Sequence, residues 1–248
     1  MGFPGAYDKT DNGRQLTGRL WRDFNPMAMA SDPGRGFFVM EDFLTLPDVL
    51  SYTLTQATTG AITLNDVVEA YGVALLDSGS TTTQQGANLQ FHGQSITPAA
   101  GVEIAFEARW KVVDTGATAN ATTGEIFVGL ASVNTAIIAS SAVPAVTDWI
   151  GYYSVTDDGV LLGGADDGTV SLFTTPGSSV EDTYLKTGFR INGLESLEFY
   201  FNGEEFTQTV ALTSIPDTFI CPSFVMQSSG TTDPIMHLDW YGFAVSSP

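Results

Sequence analysis

Thiols, imidazoles and cations are scarce in this chain. Cys221 is the sole cysteine in 248 residues, so no intrachain disulfide can form. A lone thiol inside an apolar run reads as a small buried hydrophobe. His92 and His237 are the only imidazoles and have no cysteine partner at ligand spacing, which sets zinc aside. Two histidines shared among all the serines favour no Ser-His-Asp order. Lys and Arg together number nine against 28 Asp and Glu, a formal net charge of −19. Such a surface neutralises no phosphate backbone, so nucleic acid is excluded as a partner, and anionic membrane surfaces with it. No apolar run approaches the roughly 20 residues that span a bilayer. The opening Met1–Gln15 has no apolar h-region, so it does not read as a secretory signal, and synthesis and first folding are expected in the cytoplasm.

What the chain has in quantity is strand pattern. Asp158-Gly159, Asp167-Gly168, Asn192-Gly193 and Asn202-Gly203 are each suited to the positive φ of a tight hairpin loop. Between the two Asn-Gly pairs, Leu197, Phe199 and Phe201 alternate with Glu198, Tyr200 and Asn202, one face to pack and one to wet. Strand-like runs continue back through the chain: Leu50–Thr58, Ala70–Asp77, Asn88–His92, Val102–Val113, Glu125–Ser132, Asp148–Val155, Val160–Gly164, Val170–Thr174, Gly188–Ile191, Leu194–Phe201, Phe206–Leu212, Phe219–Met226 and Ile235–Val245. Leu64–Leu76 also admits a helical reading, which Gly72 weakens. About a dozen strands without alternating helices predict an all-β sandwich of two stacked antiparallel sheets. A domain of residues 41–248 is expected, preceded by an extended arm of residues 1–40.

The arm differs in charge from the rest. Residues 1–35 hold five basic and four acidic groups, whereas the other 213 hold four and 24. Gly, Pro and Asn break any period there, so the segment cannot build a core of its own. Its spaced anchors, Phe3, Arg14, Arg19, Trp21, Arg22 and Phe24, are types that dominate interface hot spots. Docking on the body or on a neighbouring acidic subunit is expected, with a body that folds without residues 1–35.

Reactive chemistry is hard to find. Glycoside cleavage needs two acids at about 5–5.5 Å, or roughly 6.5–9.5 Å for inversion. An acid-x-acid strand would supply them, and no strand has one. Glu103 and Glu107 lie four residues apart, Glu195 and Glu198 face opposite ways, and Glu204-Glu205 follows a turn. Asp157-Asp158 and Asp166-Asp167 could offer oxygen to Ca²⁺, although turn formation alone accounts for them. No catalytic, cofactor or metal residue is assigned. Trp149, Tyr152 and Tyr153 are the candidate glycan-facing rings, while Trp110 and Trp240 read as core.

Several stretches carry a family resemblance over roughly residues 70–245. They are Val102–Val113 followed by Glu125–Ala131, Asp148–Tyr153 with its Asp-Asp-Gly hairpins, Gly188–Gly193 leading to Glu198–Gly203, and the closing Ile215-Pro216, Pro222–Val225 and His237–Tyr241. Together they resemble the concanavalin A-like (laminin-G-like) jelly rolls common in virion proteins of tailed bacteriophages. Met1–Tyr7 and Arg19–Phe24 also resemble small structural proteins of marine-type phages. The resemblance implies a non-enzymatic capsid decoration protein on the virion surface, made in the host cytoplasm. It would be held through its arm by the major capsid protein or another virion protein, as a homo-oligomer such as a trimer. The alternative is a lectin-like head or tail fibre module that adsorbs weakly to host glycans.

Overall fold

The structure is a computed structural model that describes residues 15–44, 53–56, 60–64, 72–79, 81–82, 84–114, 124–138, 144–154, 159–206, 210–230 and 233–246. Within it, fifteen strands form two antiparallel sheets. The eight-stranded sheet runs β13 (Glu204–Phe206), β12 (Ser196–Phe201), β11 (Leu185–Asn192), β6 (Glu103–Asp114), β15 (Pro234–Ser246), β4 (Ala74–Asp77) and β3 (Ala61–Leu64). Its eighth strand, β1 (Gly36–Glu41), pairs with the second half of β15. The seven-stranded sheet runs β10 (Ser171–Ser178), β9 (Val160–Asp167), β8 (Asp148–Ser154), β7 (Glu125–Ala131), β14 (Cys221–Gln227), β5 (Gly86–Gln90) and β2 (Thr53–Gln56).

Alternation decides which side chains meet between the sheets. Phe106, Phe189 and Phe199 are cross-strand neighbours on β6, β11 and β12, with centroids 5.3 and 6.0 Å apart along the row. Phe224 and Met226 of β14 and Ile126, Val128 and Leu130 of β7 close on them from the facing sheet. Tyr152 reaches from β8 across this core, its hydroxyl lying 3.0 Å from the Gly188 carbonyl and 2.8 Å from that of Tyr200. Leu197 packs against this core and Phe199 and Phe201 lie inside it, on the face the sequence pattern assigned them. Trp110 and Trp240 are fully buried, and Cys221 is buried with its thiol pushed up to about 11 by desolvation.

Turn chemistry was legible in part. Asn202 and Gly203 both take positive φ, 50° and 82°, and form the two-residue loop between β12 and β13. Asn192-Gly193 opens a wider turn instead: Asn192 pairs with Ser196 and the Glu195 N–H donates to the Asn192 carbonyl. β1 and β3 had no counterpart among the predicted strands. Pro26–Ser31 forms a short helix, α1, capped by Asn25.

Residues 15–35 lie across the outer face of the eight-stranded sheet, and residues 36–41 are one of its strands. Leu20, Trp21, Phe24 and Met29 bury against Ala105, Tyr200 and Ala244. Glycine makes the seat: a Cβ at Gly188 would lie 2.6 Å from Leu20, and one at Gly242 2.9 Å from the Trp21 ring. Of the two docking surfaces the sequence left open, these residues occupy the chain's own sheet. Trp21 and Phe24 are therefore core residues of this body, and a domain boundary at residue 40 cuts through a packed layer. Phe3 and Arg14 fall outside the described residues.

Candidate functional site

Trp149 and Tyr153 leave the core side of β8 and point outward, yet neither meets solvent. The segment after β7 folds over them. It closes at its base where the Ser132 N–H donates to the Asp148 carbonyl at 2.9 Å, and again from Ala145 to Ile137 at 2.7 Å. Ile137, Ile138 and Val146 then pack on Phe127, Trp149, Tyr153 and Val225. Two buried amides hold this cover from below. Gln90 donates to the Ser132 carbonyl and accepts from the Asn134 N–H, and Asn88 donates to the Asn134 carbonyl. Burial pushes the Tyr153 hydroxyl up to about 12. Trp149, Tyr152 and Tyr153 are thus not a glycan platform: each is wholly buried, the first and third beneath the cover and Tyr152 between the sheets. Alternation alone could not reveal this, because a face covered by a loop reads like a solvated one.

The functional candidate lies at one end of the same sheet. Asp148 and Asp167 face each other in the β8–β9 register. Asp217 arrives from the segment that precedes β14, which is pinned to the β9–β10 turn by Ser214 Oγ donating to the Thr169 carbonyl at 2.6 Å. An oxygen from each of the three carboxylates lies within 4.8 Å of the others. The acid-x-acid test along single strands missed this set, since its members come from two paired strands and a distant loop. Among the described residues it is the one cluster of three His, Cys, Asp or Glu side chains close enough to hold a metal, and oxygens around Ca²⁺ at 2.3–2.6 Å would span such a distance. Asp157 and Asp158 lie outside the described residues. Glu103 and Glu107, by contrast, form no working pair. The first bonds Arg190 and the second is sealed under the arm.

Repulsion shapes this end. Desolvation, and then Asp217 and Asp148, raise the Asp167 carboxyl above its ordinary value, and Asp166 is raised by burial with Asp148 and Asp167 adding to it. A carboxyl raised on folding stabilises fully below its unfolded pKa, and that contribution is lost as pH rises through the folded value. Asp167→Asn should therefore melt higher than the parent at pH 7, with the gap closing toward pH 4; equal melting curves across that range would contradict it.

Charge is segregated as well. Arg109, Lys111, Lys186 and Arg190 project from the outer face of the eight-stranded sheet, and Arg19, Arg22 and Arg35 belong to the segment laid over it. Among the described residues the seven-stranded sheet and its loops carry no Lys or Arg. Phe219 follows Asp217 by two residues and is 70 % exposed, and Val170 and Leu212 are also exposed.

No family model matches the sequence, and no curated protein matches it. Solved structures do match. A protein of unknown function from Shewanella oneidensis MR-1 superposes with a TM-score of 0.59 at 13 % identity, over 86 % of this chain and 87 % of that one. An endo-1,3-beta-glucanase from Streptomyces sioyaensis gives 0.58 at 11 %, over 88 % and 99 %. Lectin II from Ulex europaeus gives 0.54 at 12 %, over 85 % and 99 %. At these identities the likeness shows the fold, an all-β concanavalin A-like jelly roll of two antiparallel sheets, as the sequence resemblance implied.

Proposed function

We propose that this protein is a non-enzymatic carbohydrate-binding module whose contact surface is the acidic end of the sandwich. The observation that carries the reading is Phe219, a large ring left in solvent two residues past Asp217, the residue that joins Asp148 and Asp167 at the ends of β8 and β9. A sugar offers an apolar C–H face and a ring of hydroxyl donors. An exposed aromatic takes the first, and carboxylate oxygens accept the second as charge-assisted bonds. The fold shared with lectin II supports the same reading. The glucanase neighbour brings in cleavage as an alternative, and release of reducing ends from a β-1,3-glucan would separate it from binding alone.

A glycan array with the full chain is the first test, followed by titration with the best hit. Phe219→Ala should weaken binding at least tenfold while leaving the melting temperature in place, because the ring is exposed. Absence of binding at millimolar sugar, or equal affinity in the variant, would end this reading. Carriage on a virion is a separate proposal that rests on the sequence resemblance, and it is tested by whether the protein co-purifies with particles.

A further inference from the structure

At the opposite end of β7 from the three aspartates, the outer face of the seven-stranded sheet holds a second group of oxygens. In register, Gln227 of β14 lies between Gly86 of β5 and Glu125 of β7, and Asn88 follows Gly86 on the same face. Asn88 is 3 % exposed, and Gln227 and Glu125 are 7 % exposed. Gly86 leaves a gap that Gln227 leans into: the Gln227 Cγ is 2.8 Å from where a Gly86 Cβ would stand. That places the Gln227 Cγ against β5, the strand that carries Asn88.

The two amides present oxygen without a donor. The Asn88 Nδ2 gives its hydrogen bond to the Asn134 carbonyl at 2.8 Å, which fixes the other end of the amide as oxygen, and that Oδ1 has no partner. Gln227 Oε1 has none either. Burying an acceptor without a donor is costly, and here two occur on adjacent strands of one face, with a carboxylate on the next strand. No Lys or Arg among the described residues stands on this sheet to answer them. An acceptor-only set that includes one negative charge suits an oxygen-seeking cation.

We propose that Asn88, Gln227 and Glu125 bind one small hard cation of the Ca²⁺ or Na⁺ type through two amide oxygens and a carboxylate. Amide and carboxylate oxygens are the ligands such ions take. The ion would tie β5, β14 and β7 together, directly beneath the segment that Asn88 holds over the aromatic face. This site is separate from the acidic end and does not depend on any sugar being bound there.

The test is thermal melting of the full chain in choline chloride with CaCl₂, MgCl₂ or NaCl added, together with calorimetric titration of Ca²⁺. The parent should melt higher with one of these ions, and titration should reveal a site that weakens at least tenfold in Glu125→Gln and disappears in Gln227→Leu. Glu125→Gln keeps the side-chain shape, so it stands in should Gln227→Leu fail to fold. Asp217→Asn should leave this binding step intact. The proposal is overturned if no ion raises the melting temperature, or if the rise is lost in Asp217→Asn and kept in Glu125→Gln. It is also overturned if Gln227→Leu costs the same stability with and without ion, which would mean the two amides simply bond each other.

Discussion

Glu107→Ala should destabilise the protein by about 4 kcal/mol and free residues 15–24 from the eight-stranded sheet. Glu107 is buried and gathers the arm's polar groups: the Thr17 N–H at 2.9 Å, the Trp21 Nε1–H at 2.8 Å and the Thr17 hydroxyl. Alanine leaves those donors without an acceptor, at roughly 1–3 kcal/mol for each buried one. Around this point Arg190 bonds Asp23 at 2.5 Å and Glu103 at 3.0 Å, and Lys186 reaches the Gln15 carbonyl at 3.2 Å. Arg22–Glu198 and Arg19–Glu205 are more exposed and add little. Urea unfolding gives the stability, and limited trypsin digestion gives the release through cleavage after Arg19 and Arg22. An unchanged digestion pattern would show that Glu107 does not anchor the arm.

The isosteric Glu107→Gln separates charge from geometry. Its carbonyl can accept from Trp21 and the Thr17 N–H, while its amide donates to the Thr17 oxygen. Burial raises the Glu107 carboxyl above its ordinary value, against the pull of its Thr17 and Trp21 bonds and of Lys186. The parent's stability from this group is therefore complete below the unfolded pKa and declines as pH climbs through the folded one. Glu107→Gln should remove that decline as pH rises above about 4, the unfolded carboxylate range. A truncation lacking residues 1–35 should also unfold more readily than the full chain.

Trp149→Ala is the second large effect, at about 3–5 kcal/mol for emptying a buried indole site. Phe127 stands 6.1 Å and Tyr153 5.4 Å from its ring, both edge-on, and Ile137, Ile138 and Val146 rest on the cluster. Loss of the ring should also loosen the cover, read as faster amide hydrogen exchange across residues 132–138. A change below about 1 kcal/mol is what an exposed platform residue would give, and it would reinstate the sugar-facing reading of Trp149.

Period-two alternation made the sandwich legible, because a strand buried on one face records that face in every second residue. Phe199 and Phe201 in β12 illustrate it. The arm was harder to read. Leu20, Trp21 and Phe24 announce that they will be buried, but their partners Gly188, Gly242 and Ala244 are too small and too far along the chain to announce what they receive. β1 was missed for a related reason: Gly36–Glu41 becomes a strand by pairing with the far end of β15. The acidic end needed three-dimensional information, since Asp217 stands fifty residues beyond Asp167 and no local pattern links them. Asp167-Gly168 gave half the signal as a turn, with Gly168 at φ 70° as expected.

The one-sided placement of arginine and lysine makes the molecule an electric dipole as well as a polyanion. On a cationic resin or at a positively charged interface it should land seven-stranded sheet first, with the arm-covered face turned away. Labelling of the exposed Arg19 and Arg35 with an arginine reagent while the protein is adsorbed would therefore proceed as in free solution, and reagents aimed at the aspartates would be shielded.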